Sequence, residues 1–228
     1  MWFLFNKART GCEMKKLFLT TGLLSILTMP AMADLKWFVG ANIGYAGPTF
    51  SDDINDSIDD DTFEDDSGGV ALSVSGGMRF GERENIYNGG VTATLSYMPT
   101  LGDVVNGSDW YDNSTFEGTM DLTTLYFSYD NYIRLSGDSE PRSDFLISVG
   151  VGHSWLHETA KAKSYYYTYE DSVSDDGAMG VLKLGLVSET SINGFGWNVM
   201  LTFIGLNASA KADLQGAYSI DFGLRYTF

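Results

Sequence analysis

His153, Ser154 and His157 are the residues of this 228-residue chain whose types could support acid–base or nucleophilic chemistry, since the chain has two histidines in all. An imidazole beside a hydroxyl is the elementary base and nucleophile pair of acyl transfer. The local pattern decides against it. Phe145, Ile147, Val149, Val151 and Trp155 alternate with Ser148, Gly150, Gly152 and Ser154, which is the period of a strand. Adjacent strand residues point to opposite faces, so His153 and Ser154 cannot meet locally. The expectation is no catalytic residue and no enzyme activity.

Carboxylates are the second source of chemistry. Asp59, Asp60, Asp61, Asp65 and Asp66 crowd one stretch together with Asp52, Asp53, Asp56 and Glu64, and smaller acidic groups follow at Asp103–Glu117 and Glu170–Asp176. Hard cations take carboxylate oxygens, but the spacing does not match the roughly 12-residue calcium loop with its central glycine and distal glutamate. Weak Ca²⁺ or Mg²⁺ binding at several places is therefore expected, with no specific metal and no resident cofactor. Tyr165, Tyr166, Tyr167 and Tyr169 stand beside Lys161 and Lys163. Tyrosine offers large contact area at low entropic cost, so this segment reads either as a binding patch for a host or surface ligand or as two extended strands whose tyrosines pair across.

The chain carries 14 basic and 30 acidic residues. Met14 opens MKKLFLTTGLLSILTMPAMA, with Lys15 and Lys16 as a basic region, Leu17 to Met29 as an apolar region and Ala31-Met32-Ala33 as a small-residue cleavage site. Residues 1–13 read as a spurious extension, 14–33 as a signal peptide and 34–228 as one domain. Removing residues 1–33 leaves a formal charge of −19 and takes away the single cysteine, Cys12. Such a charge excludes nucleic acid as a partner. After the leader no run approaches the roughly 18 apolar residues of a membrane helix.

What positions these residues is a series of period-two segments with alternating connections. Leu35–Ala46 comes first, then an acidic loop over Gly47–Gly69; Val70–Gly81 follows, then a short turn, then a strand from Tyr87 to Pro99 and a second long loop to about Gly118. Thr119–Leu135, a turn at Ser136–Ser143, Asp144–His157, a third long loop at Glu158–Gly177 and Ala178–Ser188 continue the pattern. Glu189–Gly194 turns into Phe195–Leu206, and the chain closes on Gly216–Phe228. Eight strands predict an all-β, antiparallel, up-and-down transmembrane barrel with long extracellular loops and short periplasmic turns. A soluble barrel would hold its large apolar residues inside. Here one face is Gly, Ser and Thr, too small and polar for the outside of a soluble protein, so lipid is expected outside and a polar, packed lumen within. Parity turns Arg79, Asp130, Arg134, Lys183, Asp221 and Arg225 into that lumen. An eight-stranded barrel is only wide enough for its own side chains, so these charges read as a plug of ion pairs.

The last strand carries a resemblance. In GAYSIDFGLRYTF, Tyr218, Ile220, Phe222, Leu224, Tyr226 and Phe228 lie on one face, ending on a terminal Phe. This resembles the closing strand of the small eight-stranded outer-membrane proteins of Gram-negative bacteria, the OmpX-like, OmpW-like and OmpA-barrel class, with no motif that selects a subfamily. The resemblance implies an outer-membrane address, a lipid and lipopolysaccharide environment, and recognition of Tyr226 and Phe228 by the barrel assembly machinery. Lipid A deacylases, also similar small barrels, place histidine and serine two apart on one face, and this chain departs from that. The function expected is surface interaction, adhesion or envelope stabilisation through the acidic and tyrosine-bearing loops. The alternative is a narrow porin-like channel for small solutes or ions, with Arg79, Arg134 and Arg225 attracting anions.

Overall fold

One antiparallel sheet accounts for the described part of the protein in the computed structural model, which describes residues 35–50, 64–66, 68–81, 85–99, 101, 103–109, 114–135, 142–163, 168–189, 194–207 and 214–228. The chain separates into two units, Met1–Asp34 and Leu35–Phe228. The extension and signal peptide expected at 1–33 lie outside the described residues. In the second unit the strands are β1 (Leu35–Phe50), β2 (Glu64–Asp66), β3 (Gly69–Phe80), β4 (Tyr87–Met98), β5 (Asp103–Asp109), β6 (Ser114–Arg134), β7 (Arg142–Lys163), β8 (Thr168–Glu189), β9 (Phe195–Leu206) and β10 (Leu214–Thr227).

Eight of them close a barrel. The order β6-β4-β3-β1-β10-β9-β8-β7 returns on itself through a β6–β7 pairing, and every neighbour is antiparallel. The first and last strands seal it, with Phe38 opposite Thr227 and Tyr45 opposite Ile220. Closure pairs each strand on both sides, which a bilayer demands because lipid offers no partner to a backbone N–H or C=O.

Burial is inverted relative to a soluble protein. Outward residues such as Phe127, Val149 and Phe222 are 65%, 55% and 54% exposed, while Asp130 and Asp144 are 1% and 0%. Aromatic rings ring the turn end on the outside, where Phe195, Tyr226 and Phe228 stack at 5.0–5.1 Å between centroids. Tyr45, Tyr97 and Trp155 stand at the loop end. Two glycines serve geometry. Gly81 ends β3 at φ 117°, and Gly77 faces inward, where a Cβ would come within 2.6 Å of the Phe38 ring.

Outward and inward parity agrees with the alternation in the sequence, but the strands are longer than it indicates. β1 runs to Phe50, and the first two long loops contain β2 and β5, which add to the upper part of β6. The third long loop is corrected most. Glu158–Lys163 pairs with Thr168–Val173 as a continuation of the β7–β8 ladder, so only 164–167 are left outside the described strands there. Polar, acidic residues hide the period in this stretch because neither face meets lipid.

A charge at mid-bilayer on the lipid face of a barrel costs about 2–4 kcal/mol and about 0–1 near the interface. Phe222→Arg, half-way along β10, is expected to lower the unfolding free energy in phospholipid bilayers by that larger amount. Phe195→Arg, at the turn end of β9, should fall in the smaller range. Equal losses in urea titrations followed by tryptophan fluorescence would contradict the lipid-facing assignment.

Candidate functional site

The barrel's inward positions build a lumen in layers. At the loop end Met98, Leu101, Met120, Leu122, Leu156, Met179, Ile204 and Leu214 form an apolar cluster with Ala46, Ala71 and Ala217. The middle and the turn end are polar, as the alternation predicts. The apolar closure is the feature that alternation alone did not announce, although Met179 and Val181 already read as inward.

In the middle layer Asp130 accepts the most side-chain hydrogen bonds. It accepts hydrogen bonds from Ser148 Oγ at 2.6 Å, Ser128 Oγ at 3.1 Å, Tyr132 Oη at 3.3 Å and the Thr92 hydroxyl. Asp221 accepts from Ser219 Oγ at 2.7 Å and Thr202 Oγ1 at 3.4 Å. Lys183 lies over the Tyr126 ring at 5.1 Å. A cavity of about 50 Å³ occupies this layer, and each of the eight barrel strands contributes to its wall, among them Asn42, Ser75, Thr94, Asp130, Leu146, Lys183, Asn198, Asp221 and Arg225.

At the turn end the charges pair closely. Arg79 Nη1 is 2.8 Å from Asp144 and 3.3 Å from Glu189, Arg142 Nε is 2.8 Å from Asp144, and Arg225 Nε is 3.3 Å from Glu189. Arg225 stacks on Phe38 at 3.3 Å and donates Nη1 to Tyr132 Oη at 3.1 Å, while Arg79 covers the other aromatic neighbour, Tyr132, at 4.3 Å. Arg225 and Glu189 touch off the hydrogen-bond line, since both facing atoms lack a bonded partner.

Of the six charges expected in the lumen, Arg79, Asp130, Lys183, Asp221 and Arg225 are buried there. Arg134 shares their inward parity and stands half-buried at the turn-side rim, opposite Asp144 in the ladder. Arg142, Asp144 and Glu189 were missed: Arg142 and Glu189 sit where the sequence reads as turn, and Asp144 is the first residue of its expected strand. Carrying the alternation of Ser148 and Leu146 two residues further back would have found Asp144 and Arg142. With Lys36, inward opposite Arg79, the described inward charges on the turn side of the apolar cluster are Lys36, Arg79, Arg134, Arg142, Lys183 and Arg225 against Asp130, Asp144, Glu189 and Asp221, while Glu158 and Asp175 share the inward parity at the loop end.

Outside the barrel, β8 rises beyond the last β8–β9 pair, Met179–Leu206, up to Thr168. Its exposed acids include Glu170, Asp171 and Asp176. The alternate residues above Ala178, whose carbonyl accepts from Asn207 N at 3.0 Å, direct their backbone groups away from β7. Two of these N–H groups are met by the preceding side chain, Ser172 N by Asp171 Oδ1 at 2.9 Å and Asp176 N by Asp175 Oδ1 at 2.8 Å. Tyr169 donates its hydroxyl to Asp171 at 3.2 Å and lies opposite Ala162. Asp59, Asp60, Asp61, Tyr165, Tyr166 and Tyr167 lie outside the described residues, and Asp65 and Asp66 are placed in β2. Among the described residues no group of three metal-ligating side chains converges.

His153 and Ser154 point apart, as expected. His153 Nε2 is 3.0 Å from Asp176 and edge-on to Trp155 at 4.7 Å, whereas Ser154 is buried and donates to Gly177 O at 3.2 Å. Across the strands, His157 Nδ1 lies 2.9 Å from Ser174 Oγ, a contact that sequence spacing could not show. It sits on the open outer face of the β7–β8 ladder, where the pair ties one strand to the next.

No family model and no curated protein matches the chain. Among solved structures, Neisserial surface protein A is similar at 8% identity, covering 84% of this chain and 97% of its own, with a TM-score of 0.44. Ail, the attachment invasion locus protein of Yersinia pestis, bound to the heparin analogue sucrose octasulfate, is similar at 14% identity over 84% of this chain and 99% of its own, with a TM-score of 0.43. A major outer membrane protein from Thermus thermophilus is similar at 12% identity over 86% and 100%, with a TM-score of 0.40. By its own closure and inverted burial, this chain is an eight-stranded membrane-spanning barrel.

Breaking a buried ion pair by removing one partner typically costs about 3–5 kcal/mol, and an exposed pair is worth about 0–1. Asp144→Asn is expected to lower stability by the larger amount. Glu170→Gln, which removes the exposed 3.8 Å contact with Lys161, should change it by the smaller, both read from denaturant unfolding of the folded barrel.

Proposed function

We propose that this outer-membrane barrel is a non-enzymatic surface-interaction protein, acting in adhesion or envelope stabilisation through the acidic sheet that stands above its rim. The observation that carries the reading is the β7–β8 ladder between Thr168 and Ala178 on one side and His153 and Lys163 on the other. At about 3.3 Å per residue these eleven β8 positions reach about 35 Å along the strand. A paired ladder presents its side chains in a fixed arrangement, so a ligand meets them without first ordering a loop. β6, β5 and β2 widen the same sheet.

Its chemistry selects the partner. Exposed Glu170, Asp171 and Asp176 favour a positively charged surface, or lipopolysaccharide phosphates bridged by Ca²⁺ or Mg²⁺. Tyr169, 58% exposed, supplies aromatic contact, with Tyr165, Tyr166 and Tyr167 in the adjoining connection. Assembly would use the closing strand, where Tyr226 and Phe228 form an outward aromatic pair at the turn end. The channel reading is disfavoured by the apolar closure of the loop end and by the interlocked turn-end charges.

Bacteria displaying the intact protein are expected to attach to cultured host cells, and replacing Glu158–Gly177 by a two-residue turn should abolish attachment while the barrel still folds. Planar bilayers containing the purified protein should stay silent, with or without substitution of Arg79, Arg134 and Arg225. Undiminished attachment after the replacement would remove the binding role, and anion-selective steps that collapse in the arginine variant would put the channel in its place.

A further inference from the structure

The middle layer of the lumen has an imbalance of hydrogen-bonding groups. Asp130 and Asp221 face the cavity, but their oxygens already accept six bonds from neutral hydroxyls. The two cations on the same wall are only partly served in return: Asp130 and Asp221 attract Lys183, and Arg225 holds Tyr132 and Glu189. Lys183 is 92% buried by its 8% exposure, and among the described residues its closest specific contact is the face of Tyr126. Arg225 is 5% exposed, and its Nη2 is buried without a hydrogen-bond partner. A buried ionised donor without an acceptor is costly, and two like charges facing one small space add to that cost.

The charge count points the same way. On the turn side of the apolar cluster the described inward groups carry two more positive than negative charges, in a chain whose overall formal charge is −16. From the loop side, any approach to the cavity crosses the apolar cluster around Leu122 and Leu156. From the turn side it passes Arg79, Arg142 and Arg225.

We propose that the cavity is a binding site for one small monovalent anion of halide size, held between Lys183 Nζ and the Arg225 guanidinium. The volume, about 50 Å³, admits such an ion with one or two waters, which would reach the unpartnered amide oxygens of Asn42 and Asn198. Larger anions are excluded by the wall. The ion completes the lumen's charge pairing rather than crossing it, and this site is independent of the surface role assigned to the β7–β8 ladder.

The test uses the protein purified in detergent. Crystals grown in bromide are expected to show an anomalous scattering peak within hydrogen-bonding distance of both Lys183 and Arg225. At fixed ionic strength the unfolding temperature should rise by several degrees from sodium gluconate to sodium chloride or bromide. Lys183→Met should lose both the peak and the halide dependence while keeping the far-ultraviolet signature of the barrel. Should that variant fail to fold, the wild-type arms still decide. A cavity filled with water alone, or equal unfolding temperatures in gluconate and bromide, would overturn the proposal.

Discussion

The fold depends on one requirement: no backbone amide may face lipid without a partner. A helix meets it within one segment, but among the described residues no helix is long and apolar enough to cross. Strands meet it only if the sheet has no edge, and so the pairing of β1 with β10 and of β6 with β7 is what permits everything else. Once the sheet closes, alternation assigns each residue to lipid or to lumen, and the composition of the two faces follows. Val, Leu, Phe and Trp face outward because the solvent there is hydrocarbon. Ser, Thr, Gly and a few charges face inward because the interior is narrow and its polar groups must satisfy one another.

Eight strands leave little room, and the layers of the lumen show how the space is divided. Large apolar side chains, among them Met98, Leu122 and Leu156, close the loop end. Hydroxyls surround Asp130 and Asp221 in the middle. Arginines stack on Phe38 and Tyr132 at the turn end, using planar faces as well as hydrogen bonds, which lysine could not do as well. Barrel and plug are thus the same residues, and no separate domain has to occupy the bore.

Much of this was legible in the sequence. Period-two alternation placed the outward residues from Trp37 to Phe228 correctly, because one face meets lipid and the other does not, so the contrast is strong. It also put Arg79, Asp130, Lys183, Asp221 and Arg225 inside. It failed where the contrast fades. Asp144, Arg142 and Glu189 lie at strand ends among turn residues, and polar composition there reads the same for a turn as for a lumen. The upper β7–β8 ladder was hidden for the same reason, since water bathes both of its faces. The meeting of His157 with Ser174 is a matter of register between strands, which no spacing within one strand contains.

The two aspartates beside the edge of β8 that has no strand partner among the described residues have a consequence for how this surface behaves in company. A bare edge invites any extended chain to continue the sheet, and in a crowded membrane the commonest such chain is another copy of the same protein. With Asp171 and Asp175 already holding the amides of Ser172 and Asp176, an incoming strand must first displace two carboxylates and then lie against their charge. The ladder therefore stays a finite object. It offers its side chains for reading while withholding its backbone, and neighbouring barrels can crowd together without being stitched into a common sheet.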